Sequence, residues 1–480
     1  MMFFTFQQKI KWYNGMRINL DGRKIKMPKG KKSVDMTQGP ILKHLIVFAM
    51  PLLIGQIFQQ LYNTVDSVVV GQFVGKQALA AVGSTGSVIN ALIGFFSGLS
   101  MGAGVVISQC FGARDKRGVH NAVHTAMALT IGAALFCTVL GLVATDPLLR
   151  MMSTPEDVFA EASAYLRIYF GGIVGLMVYN IGAGILRAVG DSKRPLYFLI
   201  FSACLNVVLD LVFVIFFRMG VAGVAWATVV SQCASAVLIL IVLAKTKEDH
   251  QLQLSRLHIH GGELKRILRI GLPAGIQTSV VSFSNVFVQA YINEFQSDCM
   301  AGWTSYSRLD AFAWLLMMCV GMANTTFVGQ NLGAGRIDRV KKGVNAGLIL
   351  SAVGTAVIVA VLMLFSDTAL KLFNSDPNVL EYGRMFVLWL SPFYIPYCAM
   401  LIYSGALRGA GDSLSPMIIT IGSFVVFRQL YLIIGTQFIT SPLFVGMSYP
   451  AGWVVASIAT TLVYRSGRWE KNLKAKQAAA

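Results

Sequence analysis

Twelve long apolar runs, joined by short polar links, make up the hydrophobic pattern of the chain. They lie at 45–72, 80–108, 120–144, 164–186, 195–217, 221–244, 268–292, 301–328, 343–366, 384–407, 416–436 and 444–464. A helix rises about 1.5 Å per residue, so each run can cross roughly 30 Å of hydrocarbon. Strands of membrane barrels are about ten residues long and alternate in polarity, unlike these runs. The pattern predicts an all-α polytopic membrane protein with twelve transmembrane helices.

One segment of the chain occurs twice. The run Gly-Ile-Leu-Arg-Ala-Val-Gly-Asp-Ser at 184–192 returns as Gly-Ala-Leu-Arg-Gly-Ala-Gly-Asp-Ser at 405–413, which is 221 residues later. The same offset carries Gln109 onto Gln330. Repetition at a fixed distance indicates a duplicated structural unit. We therefore expect two repeats of six helices each.

The basic residues are distributed unevenly along the 480-residue chain. Only 13% of the residues are charged, against about 25% in soluble proteins, yet the net charge is +18. The N-terminal tail, the links after even-numbered spans and the C-terminus hold 32 of the 40 lysines and arginines. Basic links stay in the cytoplasm, so both termini are predicted to be cytoplasmic. The charge therefore reflects membrane topology, and we expect no nucleic-acid partner.

An even number of spans in each repeat makes the two repeats parallel. Their pseudo-two-fold axis should run along the membrane normal, with a central cleft between the two lobes. The predicted parts are a basic cytoplasmic tail (1–43), an N-lobe (44–244), a cytoplasmic linker (245–267), a C-lobe (268–465) and a basic C-terminus (466–480). The tail has no signal-peptide core; it is either a cytosolic extension, which could touch anionic lipid, or sequence upstream of a start at Met36.

Several spans contain glycine or proline residues. The chain has 46 glycines, and spans 2 and 4 are rich in them. Small residues favour close helix packing, with hinge motion as the alternative interpretation. Pro51 and its repeat mate Pro273 lie inside the first span of each lobe. Each removes a backbone hydrogen bond and can therefore kink its helix.

Two carboxylates lie deep inside apolar runs of the N-lobe. Asp66 is ten residues before Lys76, and Asp210 is eight before Arg218, so both are about 12–15 Å below the outer surface. Ionisable groups at such depth usually line a cavity. Asn206 precedes Asp210 by one helical turn and shares its face. Further side chains that could complete this cluster are Tyr165, Tyr169, Asn180 and Thr228.

The second repeat has no counterpart of these acids. Asp66 maps onto Val288 and Asp210 onto Tyr431, so the scaffold does not need carboxylates at these positions. A pair of acids here could bind and release H⁺, or hold Na⁺. The alternative is a structural role, with the acids hydrogen-bonded to Asn206. The hydroxyl of Thr228 is a second candidate donor for that structural role.

The C-lobe carries its own charged residues inside apolar runs. These are Arg308, Asp310 and Arg428, for which we expect a structural Arg–Asp pair, with substrate contact as the alternative. No motif of a metalloprotease, P-loop enzyme or serine hydrolase occurs. His120 and His124 share a helix face but have no further metal ligands nearby in the sequence. We therefore expect neither an enzyme nor a metal site other than the possible Na⁺ site.

Three motifs together resemble the MATE family of multidrug and toxic compound extrusion transporters. They are the repeated Gly-x-Leu-Arg-x-x-Gly-Asp link, the Gly-Gln-Asn-Leu-Gly-Ala-Gly run at 329–335 and the Asn-Thr-Val-Asp run ending at Asp66. The resemblance covers about 36–465. It implies an antiporter in the cell (inner) membrane that exports organic, often cationic, compounds against inward H⁺ or Na⁺. No other cofactor is implied.

The resemblance is to the DinF-like branch, which keeps its acids in the N-lobe. It implies that Asp66 and Asp210 couple transport to the cation, and that Pro51 bends the first helix. Tyr165, Asn206 and Thr228 would surround the acids. The NorM-like branch also has acids in helices 7 and 10, where this chain has only Glu294 and Glu381 at the ends of these spans.

Two other functions remain open from the sequence. A lipid-linked oligosaccharide flippase of the wider superfamily would need a strongly cationic cavity, for which Arg308 and Arg428 give partial support. A receptor or membrane enzyme would need a soluble domain or catalytic residues, which the sequence does not show. We expect a monomer that contacts membrane lipids and small organic substrates.

The charge pattern predicts that Lys193 and Asp376 lie on opposite sides of the membrane. With the accessible native cysteines removed, Asp376→Cys should react with an impermeant maleimide in sealed cells. Lys193→Cys should react only in inside-out vesicles, because its basic link is cytoplasmic. Labelling of both positions in sealed cells would contradict this topology.

Overall fold

The computed structural model describes residues 34–152 and 154–470, which are helical and contain no strand. Residues 1–33 of the predicted tail and 471–480 of the predicted C-terminus lie outside the described part. Twelve long helices follow one another: α1 (Ile41–Val74), α2 (Lys76–Gly112), α3 (Lys116–Met151), α4 (Glu156–Ala188), α5 (Lys193–Phe216), α6 (Gly220–Lys245), α7 (Gly261–Asn293), α8 (Ser297–Gly333), α9 (Ile337–Leu364), α10 (Pro377–Gly409), α11 (Leu414–Gly435) and α12 (Pro442–Arg465). The predicted all-α fold is confirmed.

Eleven helices in the described part of the chain are long and apolar enough to cross a membrane. The remaining one, α7, has 33 residues but carries several polar side chains. Gln277 donates a hydrogen bond to Thr420 Oγ1 (2.9 Å), and Ser284 donates to the carbonyl of Phe424 (2.7 Å). Both side chains thus donate to partners inside the C-lobe, whereas Gln277 Oε1 is buried without a partner among the described residues.

Three of the spans contain a π-helical turn. The turns are Val70–Val74 in α1, Val212–Phe216 in α5 and Gly422–Phe427 in α11. Asp66 lies one turn before the first, Asp210 two residues before the second, and Arg428 directly after the third. The first two turns contact each other and α6. Such turns are frequent at functional sites, and the hydrophobic pattern did not predict them.

The two repeats meet at the end of the molecule that carries the basic links 114–117 and 336–342, called here the basic end. Gln109 Nε2 donates a hydrogen bond to the carbonyl of Gly409 (2.8 Å), and Gln330 Nε2 donates to the carbonyl of Ala188 (2.8 Å). Both pairs are related by the 221-residue offset. Ala188 and Gly409 end α4 and α10, where helix carbonyls lack intrahelical partners. Each repeat thus supplies a hydrogen-bond donor to the terminal carbonyl of a helix in the other repeat.

Glycine makes this approach possible. A Cβ atom on Gly112 would lie 1.9 Å from the carbonyl oxygen of Gln330, and one on Gly333 would lie 1.9 Å from that of Gln109. Farther along α2, a Cβ on Gly98 would meet the backbone of Gly275 in α7 at 2.2 Å. Close packing therefore explains these glycines in the present structure.

Residues 36–39, which precede α1, bind to the basic end and are called here the strap. The backbone N–H of Met36 donates to Gln330 Oε1 (3.0 Å), and Met36 is fully buried. Arg339 donates to the carbonyls of Met36 (3.1 Å) and Gly39 (2.8 Å). Arg336 donates to the carbonyl of Thr37 (2.8 Å). This strap ties the start of the N-lobe to the C-lobe.

Gly333→Ala should loosen the basic end, because the new methyl group has to displace the backbone of Gln109. Overpacking of this kind costs roughly 1–3 kcal/mol. Cys110 is buried beside the contact. We expect faster alkylation of Cys110 by a charged maleimide, followed by peptide mass spectrometry.

The matched control is Gly132→Ala, where an added Cβ meets no atom within 4 Å. Its Cys110 alkylation rate should equal that of the wild type. An unchanged rate in Gly333→Ala would show that the contact does not hold the lobes together.

Candidate coupling site and central cavity

The two acids predicted to act together are neighbours in the structure. Helices α1 and α5 pack against each other and bring the carboxyl groups of Asp66 and Asp210 within hydrogen-bonding reach. Two carboxylates are both acceptors, so the bond between them forms only when one carries a proton. The geometry is therefore that of a pair able to share a proton.

Several polar atoms around the pair lack a hydrogen-bond partner among the described residues. They include both carboxyl oxygens of Asp210, one of Asp66, and both amide atoms of Asn206. Asp210 is completely buried and Asn206 is 1% exposed. Buried polar groups are nearly always paired, because leaving them unpaired costs free energy. This set therefore fits a proton, a cation or water molecules as its partners.

Three tyrosines surround the acids. Tyr165 lies close to both carboxyl groups, and its ring stacks on that of Tyr169, with 6.4 Å between centroids. Tyr62 lies one turn before Asp66 and is also close to both acids. The sequence analysis missed Tyr62, although its i−4 spacing from Asp66 places it on the same helix face. Tyr165 and Tyr169 are buried, Tyr62 is half-buried, and tyrosine hydroxyls can donate to a carboxylate.

Thr228 and Asn180 occupy different surroundings. Thr228 in α6 is buried, and its hydroxyl has no hydrogen-bond partner among the described residues. Asn180 is eleven residues beyond Tyr169 along α4, or about 16 Å. Its side chain donates to the carbonyl of Leu176 (2.9 Å) and lines a separate cavity. The expectation that Asn180 joins the acids is therefore wrong.

The charged residues of the C-lobe do not pair as expected. Arg428 is 2% exposed. Its Nη2 donates hydrogen bonds to Ser284 Oγ (2.7 Å) and Asn285 Oδ1 (2.8 Å). Its guanidinium also lies 4.7 Å from the ring centroid of Tyr449. Within the described residues, no ion pair joins Asp310 to Arg308 or Arg428.

The predicted Arg–Asp pair is thus wrong. Neutral oxygens and an aromatic face solvate Arg428 without burying a second ion, which avoids a further desolvation cost. Asp310 instead lies beside Tyr394 and Trp314. Arg308 is exposed on the surface of α8.

Pro51 lies inside α1 and lines a cavity of about 230 Å³. The cavity is bounded by α1, α2, α4, α5 and α6 of the first repeat and by α8 of the second. It therefore lies where the two lobes meet. Its wall on α1 includes Gln56 and Gln59, on the stretch between Pro51 and Asp66.

Comparison with known proteins agrees with the duplicated architecture. A family model described as MatE matches residues 51–212 and 273–433, one segment in each repeat. The probable multidrug resistance protein YpnP of Bacillus subtilis is 31% identical over 439 residues, which are 92% of this chain and 98% of the relative. A probable multidrug resistance protein NorM of Thermotoga maritima is 27% identical, over 90% of this chain and 94% of the relative.

Solved structures show the same fold. One described as the outward-facing conformation of a multidrug resistance MATE family transporter of the MOP superfamily superposes with a TM-score of 0.86 at 26% identity. The match covers 93% of this chain and all of that one. A duplicated twelve-helix fold, a family match in both repeats and near full-length relatives agree: this chain is a membrane transporter of the MATE multidrug efflux family and not an enzyme.

Proposed function

We propose that the chain is a secondary active exporter that exchanges small organic compounds for inward H⁺ or Na⁺. The observation that carries the proposal is the proximity of the carboxyl groups of Asp66 and Asp210. Both oxygens of Asp210 and one of Asp66 are buried without a hydrogen-bond partner among the described residues. The lipid-linked flippase is not favoured, because the full-length relatives are named as multidrug resistance proteins.

Protonation changes the force between the two acids. With both ionised, like charges face each other in a low-dielectric site and repel. One proton removes a charge and supplies the donor for a bond between α1 and α5. Binding a proton from outside and releasing it to the cytoplasm therefore changes how these helices pack. The π-helical turns beside both acids are sections where the regular helical bonding is already interrupted.

Na⁺ is the alternative coupling ion. Two carboxylates, the side-chain oxygen of Asn206 and the hydroxyl of Thr228 supply oxygen ligands, which hard cations prefer. The residues present thus fit Na⁺ as well as H⁺, and a transport assay has to distinguish them. Neither ion requires a residue of the C-lobe.

Transport also requires the cleft to open alternately on the two sides. The lobes are held together at the basic end by the Gln109 and Gln330 hydrogen bonds. If the basic end is cytoplasmic, this arrangement is closed towards the cytoplasm. Rocking of the lobes about the cleft would break these bonds and open the cytoplasmic side.

Asp66→Asn and Asp210→Asn should each reduce gradient-driven efflux at least tenfold without unfolding the protein. The amide keeps the side-chain volume but can neither titrate nor attract Na⁺ as strongly. The measurement is dye efflux from proteoliposomes under an imposed pH or Na⁺ gradient. The double variant should be no worse than either single variant, because losing one partner already ends coupling.

Asp310→Asn is the matched control, since it neutralises an intramembrane acid of the other lobe. It should keep efflux near the wild-type level. Near wild-type efflux in both N-lobe variants, at equal protein amounts, would refute the coupling assignment. Loss in Asp310→Asn alone would move the site to the C-lobe.

Pro51→Ala should slow efflux several-fold at normal expression, because the proline removes a backbone bond that otherwise keeps α1 straight. Its repeat mate gives the control variant, Pro273→Ala. We expect a smaller effect there, since α7 has a valine, Val288, at the position equivalent to Asp66 in α1. Equal efflux in Pro51→Ala and the wild type would assign Pro51 to packing only.

A further inference from the structure

The cavity beside Pro51 has an unusual charge pattern. Within the part of the chain that the structure describes, Arg187 is the one charged side chain that lines it, and no carboxylate does. The other polar groups that line it on α1, α4 and α6 are neutral: Gln56, Gln59, Tyr179, Asn180 and Gln232. Hydroxyl groups of α2 and α8 complete the polar lining. The hydroxyl of Tyr179 and the amide of Asn180 already donate to the backbone carbonyls of Pro195 (3.0 Å) and Leu176 (2.9 Å). The cavity is therefore electropositive, and its donors besides Arg187 include the three glutamine amides.

No neighbouring acid neutralises Arg187. The closest acid along the chain, Asp191, accepts from the backbone N–H groups of Lys193 (3.2 Å) and Arg194 (3.1 Å). Its Oδ2 also pairs with Arg194 Nε at 3.0 Å. Among the described residues, the guanidinium of Arg187 forms no ion pair. A guanidinium that lines a partly apolar cavity without a counter-charge is costly to desolvate, so a bound anion would stabilise it.

The remaining walls are apolar. Leu52, Leu199, Met318 and Met322 line the cavity together with Pro51. Methionine side chains adapt to ligands of different shape. A ligand that fits both kinds of wall has an oxyanion group at one end and an apolar body at the other.

We propose that Arg187 binds the carboxylate, sulfonate or phosphate group of an amphiphilic anion in this cavity. Its guanidinium presents a planar set of donors that match an oxyanion, while the amides of Gln56, Gln59 and Gln232 can donate to the remaining oxygens. The proposal goes beyond cation-coupled export, because it assigns a ligand class to the cavity. That class differs from the cationic compounds expected from the family resemblance.

The duplication supplies an internal control. Arg408 occupies the same position of the repeated motif in the C-lobe but does not line this cavity. If the motif needs its arginine only for folding, both arginines should behave alike. If Arg187 binds a ligand, its replacement alone should change anion binding.

The test compares two probes with the same aromatic body, 2-naphthoate and neutral 2-naphthamide. Binding to the purified full-length protein in dodecyl maltoside is measured by calorimetry. The wild type should bind naphthoate about tenfold more tightly, as a charge-assisted hydrogen bond provides. Arg187→Gln should lose this preference, Arg187→Lys should keep part of it, and Arg408→Gln should keep it fully.

Equal affinity for the two probes in the wild type would overturn the proposal, even if no variant folds. An equal loss in Arg187→Gln and Arg408→Gln would overturn it as well, because it indicates a structural role. Binding does not require a gradient, so these outcomes are independent of the efflux assays on Asp66 and Asp210.

Competition identifies the source of the anion. Dihexanoyl-phosphatidylglycerol is compared with zwitterionic dihexanoyl-phosphatidylcholine as a competitor for naphthoate. Displacement by the phosphatidylglycerol alone supports a lipid headgroup as the ligand. Retained naphthoate binding with either lipid present supports a free organic anion.

Discussion

The reciprocal contact between the ends of α2 and α8 is the constraint on which the observed arrangement depends. Each helix end donates a glutamine amide to the last carbonyl of a helix in the other repeat. The glycines at these ends allow backbone approach that any side chain would prevent. One sequence motif, copied once, thus produces a symmetric closure. The same repetition lets both halves of the contact form or break together.

The two lobes use the shared scaffold differently. In the N-lobe, the spans equivalent to α7 and α11 hold Asp66 and Asp210, whereas the C-lobe has Val288 and Tyr431. Val288 is fully buried, and the hydroxyl of Tyr431 donates to the carbonyl of Phe444 (3.3 Å). Apolar and aromatic packing therefore fills the places where the first repeat has its acids. The two repeats therefore share one frame but differ in chemistry at these positions.

The sequence predicted the twelve helices, the repeat and the proximity of Asp66 to Asp210. The lengths of the apolar runs predict the helices, and the constant 221-residue offset predicts the repeat. The similar depth of Asp66 and Asp210 below the outer surface indicated that they are neighbours. Depth does not determine how a helix is rotated about its axis. It also does not show which of two polar residues on the same helix lies at a given site. Asn180 was therefore grouped wrongly with the acids. The oxygens that hold Arg428 were missed because they come from α7, nearly 150 residues away in sequence.

The proposed coupling site and the cavity share the helices that build them. Helix α1 carries Asp66 towards one end and Pro51 fifteen residues earlier, about 22 Å away. Helix α4 carries Tyr165 beside the acids and Arg187 in the cavity. In the proposed mechanism, a change in packing between α1 and α5 on protonation also moves walls of the cavity, because both helices line it. Linkage then requires the reverse: a ligand that prefers one arrangement of those walls changes the affinity of the acids for their cation. No direct contact between ion and ligand is needed for exchange.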